Sequence, residues 1–112
     1  MLNDTNADRI RGFNDGFRRN LVVGGIVLLT PGVTNLEPDR LAELLDAVRK
    51  FNNFTRDNDP HGEHDFGSIE LDGARYFFKI DYYDQSGTAA SPDPADPTVT
   101  HRVMTIMRAD EY

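Results

Sequence analysis

The chain has 112 residues, no cysteine and a formal net charge of −7, with a sequence pI near 4.7. That length suits one domain over residues 1–112 with a single core, and the missing cysteines exclude disulfides, thiolate nucleophiles, iron–sulfur clusters and sulfur-ligated zinc. The acidity argues against direct contact with phosphate backbones; no run reaches the ~18 apolar residues of a membrane span; and a polar Met1 to Arg9 with no cysteine points to the cytoplasm.

Thr5 is placed to cap a first helix whose apolar positions Ile10, Phe13 and Phe17 recur at helical spacing. Gly12 and Gly16 share a face of it and offer room for a second backbone, while Arg9, Arg11, Arg18 and Arg19 read as a basic, solvated side. Leu21 to Leu29 is almost continuously apolar and predicts a buried strand, with a bulge at Gly24-Gly25 and a stop at Thr30-Pro31-Gly32. Pro38 opens a second helix with the stripe Leu41, Leu44, Leu45, Val48 and Phe51, fraying at Asn52-Asn53. Phe66 to Leu71 and Ala74 to Tyr83 flank Asp72-Gly73, the pattern of a two-residue hairpin turn. Ser86 to Pro97 is a loop held irregular by Pro92, Pro94 and Pro97, and Val99 to Met107 is the last strand. The expected fold is α+β, in the order α-β-α-β-β-β: a mostly antiparallel four-stranded sheet with two helices on one face.

The turn fixes the register of the hairpin. Leu71 pairs with Ala74, so Ile69, Leu71, Tyr76, Phe78, Ile80 and Tyr82 share the core face, with Gly67 between them. The other face pairs Glu70 with Arg75, Ser68 with Phe77 and Phe66 with Lys79; continued outward, it sets His64 opposite Asp81. Phe66, Phe77 and Tyr83 make that face aromatic. It is either covered, for instance by the Ser86–Pro97 loop, or a binding surface.

Just before the hairpin, Asp57 to Gly67 gathers His61 and His64 with Asp57, Asp59, Glu63 and Asp65. Imidazole and carboxylate move protons and ligate metals near neutral pH. Catalytic candidates are His64, Asp81 and Glu63, with Asp81 orienting the imidazole. Binding candidates are His61, Glu63, His64, Asp65, Phe66, Phe77, Lys79, Asp81 and Tyr83. A metal would draw on His61, His64 and Asp65, yet the histidine spacing is not that of a zinc peptidase, and Ser68 stands where a calcium loop needs a bidentate glutamate. No metal or other cofactor is expected. There is no Gly-x-Ser-x-Gly elbow and no phosphate-binding loop.

The segments Phe13 to Arg19, Thr30 to Val33, Asn58 to Gly67 (NDPHGEHDFG), Lys79 to Asp84 (KIDYYD), Ser91 to Pro97 (SPDPADP) and Arg102 to Tyr112 resemble those of a small bacterial family of unknown function. Its members are often encoded on plasmids and other mobile elements. The resemblance implies no activity, but its context suggests action on host defence or plasmid maintenance. Two functional expectations follow. One is an acidic binding protein that contacts a basic, nucleic-acid-handling partner protein, such as an anti-restriction or anti-CRISPR inhibitor. The other is a small hydrolase using His64 and its carboxylates. A third reading gives the loop a purely structural role.

Overall fold

The computed structural model describes residues 5–112, so the first residues of the polar N-terminal stretch, Met1 to Asp4, lie outside the described part. Helix α1 spans Asn6–Asn20. The Thr5 hydroxyl accepts from the Asp8 amide while the Asp8 carboxylate accepts from the Thr5 amide, so two end amides are satisfied reciprocally. Beyond the helix, the Asn20 carboxamide oxygen accepts from the amides of Val22 and Val23, at 2.7 and 2.6 Å. Those amides are thereby lost to any sheet ladder. The apolar run from Leu21 is therefore strand only over Ile26–Leu29 (β1), a correction to the longer strand expected. The glycines serve a crossing instead of a bulge. A Cβ on Gly25 would lie 2.8 Å from the Phe17 ring and 2.5 Å from the Arg102 carbonyl, so only glycine passes there.

Helix α2, Pro31–Thr34, is a single turn that the sequence reading took for punctuation; proline at its first position is preset for helical φ. Helix α3 spans Pro38–Lys50, β2 Phe66–Leu71, β3 Ala74–Tyr83 and β4 His101–Arg108, with a closing 3₁₀ turn at Ala109–Glu111. The strand order is β1-β4-β3-β2. β3 is antiparallel to both β2 and β4, but β1 runs parallel to β4. The fold is α+β as expected and two of the three strand pairings are antiparallel, but β1 makes the sheet mixed, and the described residues hold three α-helices where two were anticipated. Long connections join β4 in sequence to both of its neighbours, and strand composition does not encode direction.

The hairpin register is the one dictated by Asp72-Gly73, from Leu71↔Ala74 to Phe66↔Lys79. Its inward residues Tyr76, Phe78 and Ile80 meet Met104 and Ile106 of β4, Phe17 of α1, Val33 of α2, and Leu44 and Val48 of α3 in one core. Phe78, Leu44, Val48, Met104 and Ile106 are fully buried. Truncating Phe78 or Leu44 to Ala would cost about 2–5 kcal/mol. Gly12 and Gly16, by contrast, face open space, so the close backbone approach expected there does not occur. No helix among the described residues is long and apolar enough to cross a membrane.

Candidate functional site

The ladder between β2 and β3 stops at Phe66, although Asp65 still accepts the Ile80 amide through its carbonyl. At His64 the backbone turns left-handed (φ 57°) and the extended path ends. The imidazole swings to the helix-covered side, while Asp81 projects from the opposite face and bonds Lys79 at 2.8 Å. The expected His64–Asp81 pair is therefore not formed. Extending an otherwise correct register two residues beyond the ladder assumed β geometry where the chain had already turned.

His64 finds its carboxylates elsewhere. Its Nδ1 lies 2.8 Å from Asp15 Oδ1 of α1, and its Nε2 lies 3.7 Å from Asp59 Oδ2 within the loop. Phe54 stacks on the imidazole, with ring centroids 3.7 Å apart and planes 5° from parallel. An imidazolium could donate to both carboxylates and a neutral ring to one. Asp59 is itself an anchor, because its Oδ1 accepts from the amides of Glu63 and His64, both at 3.1 Å. Arg18 completes the cluster. It is 2% exposed, pairs with Asp15 at 2.8 Å, donates to the Phe51 carbonyl and lies over the Phe54 ring. Burial works against ionisation of Asp15, but the hydrogen bonds from Arg18 and His64 outweigh it and hold its pKa below the ordinary value.

A second network lies beside the first. Asn14, fully buried on α1, donates to the Glu63 carbonyl at 3.0 Å and to the Tyr82 hydroxyl at 2.8 Å. The Tyr82 hydroxyl donates to the Glu63 carboxylate at 2.8 Å. Arg102 of β4 donates from Nε to the Asn14 side-chain oxygen at 3.0 Å, bonds the Pro94 carbonyl, and sits between the rings of Phe13 and Tyr82. Burial, reinforced by the bond to Glu63, pushes the Tyr82 pKa well up, so the phenol remains a donor. The Arg11 guanidinium adds a bond to the Gly62 carbonyl at 2.8 Å. Helix α1 is thus latched to the 53–65 loop by side chains at Arg11, Asn14, Asp15 and Arg18.

The remaining sequence candidates separate. His61 is exposed. Asp65 is pushed up in pKa by burial and by the Glu63 charge. Among the described residues no group of three His, Asp or Glu side chains is placed to hold a metal ion, so His61, His64 and Asp65 do not converge. Phe66, Phe77, Lys79, Asp81 and Tyr83 lie on the outer face, as the register requires. Phe66 and Phe77 pack together at 5.0 Å with Tyr112 against them, at 6.3 and 5.7 Å. The C-terminal residue meets that pair. The Ser86–Pro97 loop instead reaches the helix side through the Pro94–Arg102 bond.

Asn14, Asp15, Phe54 and Arg102 lie outside the site residues expected from sequence, and Arg18, expected to be solvated, is buried. The pattern was available. The buried positions of α1 are Ile10, Asn14, Phe17 and Arg18, a cleaner helical face than one passing through Phe13, which is 40% exposed. Polar residues standing in an apolar stripe announce a buried network.

On the surface, a depression of about 520 Å³ at the start of α3 is lined by Leu36, Glu37, Asp39, Arg40, Glu43 and Asp72. Arg40 is engaged by Glu43 at 3.3 Å and Asp72 at 3.0 Å. Glu37 and Asp39 remain as exposed carboxylates with no ion pair among the described residues.

A family model described as a protein of unknown function, DUF3768, matches residues 29–111. The matched stretch holds the loop and strands β2, β3 and β4, while α1 and all of β1 but Leu29 precede it. No curated protein and no solved structure matches the chain.

Proposed function

The chain belongs to the DUF3768 family, and we propose that it acts as an acidic binding protein for a basic, nucleic-acid-handling partner protein, in the cytoplasm. The observation behind this reading is how the polar atoms are distributed. His64 bonds Asp15 through Nδ1, its Nε2 faces Asp59 and not an open cleft, and Phe54 covers one ring face, an arrangement that suits bracing better than proton transfer to a substrate. Glu63 and Tyr82 are likewise committed to each other and to Asn14. These contacts support a bracing role for the His/carboxylate loop over the hydrolase alternative. At the α3 depression, Glu37 and Asp39 are exposed carboxylates outside any ion pair among the described residues, in a chain of net charge −7. Such a surface recruits a cationic partner over distance and gains specificity more than raw affinity. A mobile-element inhibitor that occupies the nucleic-acid channel of a restriction or CRISPR effector is the concrete form we favour.

The test is capture of proteins from a bacterial lysate on immobilised chain, repeated across salt concentration. Wild type should retain nucleic-acid-binding proteins that elute as salt rises, and Glu37→Gln with Asp39→Asn should lose them. Equal capture by the neutralised variant, or capture indifferent to salt, would overturn the proposal.

A further inference from the structure

The two edges of the sheet are protected very differently. β2 carries Glu70, paired with Arg75 at 3.0 Å, and is followed directly by Asp72 in the turn. Charges of this kind blunt an edge against pairing with another chain. β1 has no such device. From Asn20 to Leu36 no side chain carries a charge, and β1 contains no proline. Thr30 donates its amide to the Ile106 carbonyl at 3.2 Å, and in a parallel ladder alternate residues turn to alternate sides. The backbone groups of Val27 and Leu29 therefore point away from β4, where no described backbone meets them.

Beside this open ladder stands an apolar surface fixed in shape. Ile26 and Leu28 point to the face without helices and are 47% and 52% exposed. Val22 and Val23 are 79% and 70% exposed, and Asn20 holds both amides so that the two valines form a rigid knuckle. Exposed aliphatics this close together mark a contact surface.

We infer that the β1 edge, with Val22 and Val23, pairs antiparallel with the same edge of a second copy of this chain to form a two-fold dimer with a continuous sheet. Charge selects the occupant. Two copies of net charge −7 repel over most of their surfaces, whereas residues 20–36 carry no charge and the carboxylate bonded to them, Glu111, sits on Thr30 and Gly32 beyond the end of β1. A basic partner gains nothing from this neutral edge and is drawn to the carboxylates instead. A two-fold axis also makes an unpaired edge its own complement.

Sedimentation of the full chain over a range of concentrations tests this. Wild type should be dimeric, and added salt should strengthen the dimer by screening the net repulsion. The amides of Val27 and Leu29 should gain hydrogen-exchange protection as concentration rises. Leu28→Lys brings the net charge closer to zero, so it lowers general repulsion, yet it puts like charges together at the axis. It should weaken dimerisation at least about tenfold while leaving the far-UV circular dichroism unchanged. Should that variant not fold, Val23→Glu, outside the strand, serves the same purpose. A wild type that stays monomeric at every concentration would overturn the inference. So would a dimer untouched by a folded edge variant.

Discussion

Replacing Asn14 by alanine should be among the most costly single changes in this protein. The carboxamide makes three bonds with no water-facing alternative, to the Glu63 carbonyl, the Tyr82 hydroxyl and the Arg102 guanidinium. Two have neutral partners, at about 0.5–1.5 kcal/mol each, and the one from the guanidinium falls at about 1.5–3 kcal/mol. Alanine also leaves the buried Arg102 Nε without its acceptor, which draws the cost toward the upper part of that range. Water entering the gap would return a portion, so we expect a loss of about 3 kcal/mol. With a urea slope of about 1.5 kcal/mol/M, the unfolding midpoint should fall by about 2 M. Tyr82→Phe and Asn14→Ala should be non-additive, since each removes one end of the same bond. A midpoint shift below about 0.5 M with additive effects would refute the claim that this network docks α1 onto the loop.

Other consequences are accessible to the same measurements. A Cβ on Gly67 would overlap the Phe78 ring and stand 2.9 Å from Phe51, so Gly67→Ala should cost about 1–3 kcal/mol; an unchanged melting temperature would show that the core yields there. Asp65 has a folded pKa above its unfolded value, so its ionisation costs stability as pH rises through the folded pKa. Asp65→Asn should therefore raise the melting temperature at pH 7 and give no gain well below the ordinary carboxylate pKa, whereas an equal gain at both would contradict the assignment. Asp15 is the opposite case. Its depressed pKa contributes stability above the unfolded value that is lost as pH falls through the folded one, so Asp15→Asn should destabilise at neutral pH and converge with wild type in strong acid.

The parts of the fold that local rules govern were legible in the sequence. The Asp-Gly turn set every pair of the hairpin from Leu71 to Phe66, and the Thr5 cap and the α3 stripe were read directly. Failures came where a side chain took over a backbone group. Asn20 claimed two amides and shortened β1, and the left-handed His64 ended the strand geometry on which the Asp81 pairing depended. The Asp57–Gly67 loop stands out in the sequence, but its partners are far away in sequence. Asp15 and Asn14 reach it across 49 residues, a separation that no local pattern encodes. What the sequence did show, without its being used, was Asn14 and Arg18 standing in the apolar stripe of α1.

With the loop as a brace and the acidic surface as the point of contact, His64→Gln separates the two. Its partner capture should be compared with wild type at a temperature where both are fully folded, with thermal melting recorded alongside. A bracing role predicts a lowered melting temperature and undiminished, salt-sensitive capture. A His64→Gln protein that melts like wild type but no longer captures the partner would place function in the His/carboxylate loop and contradict it.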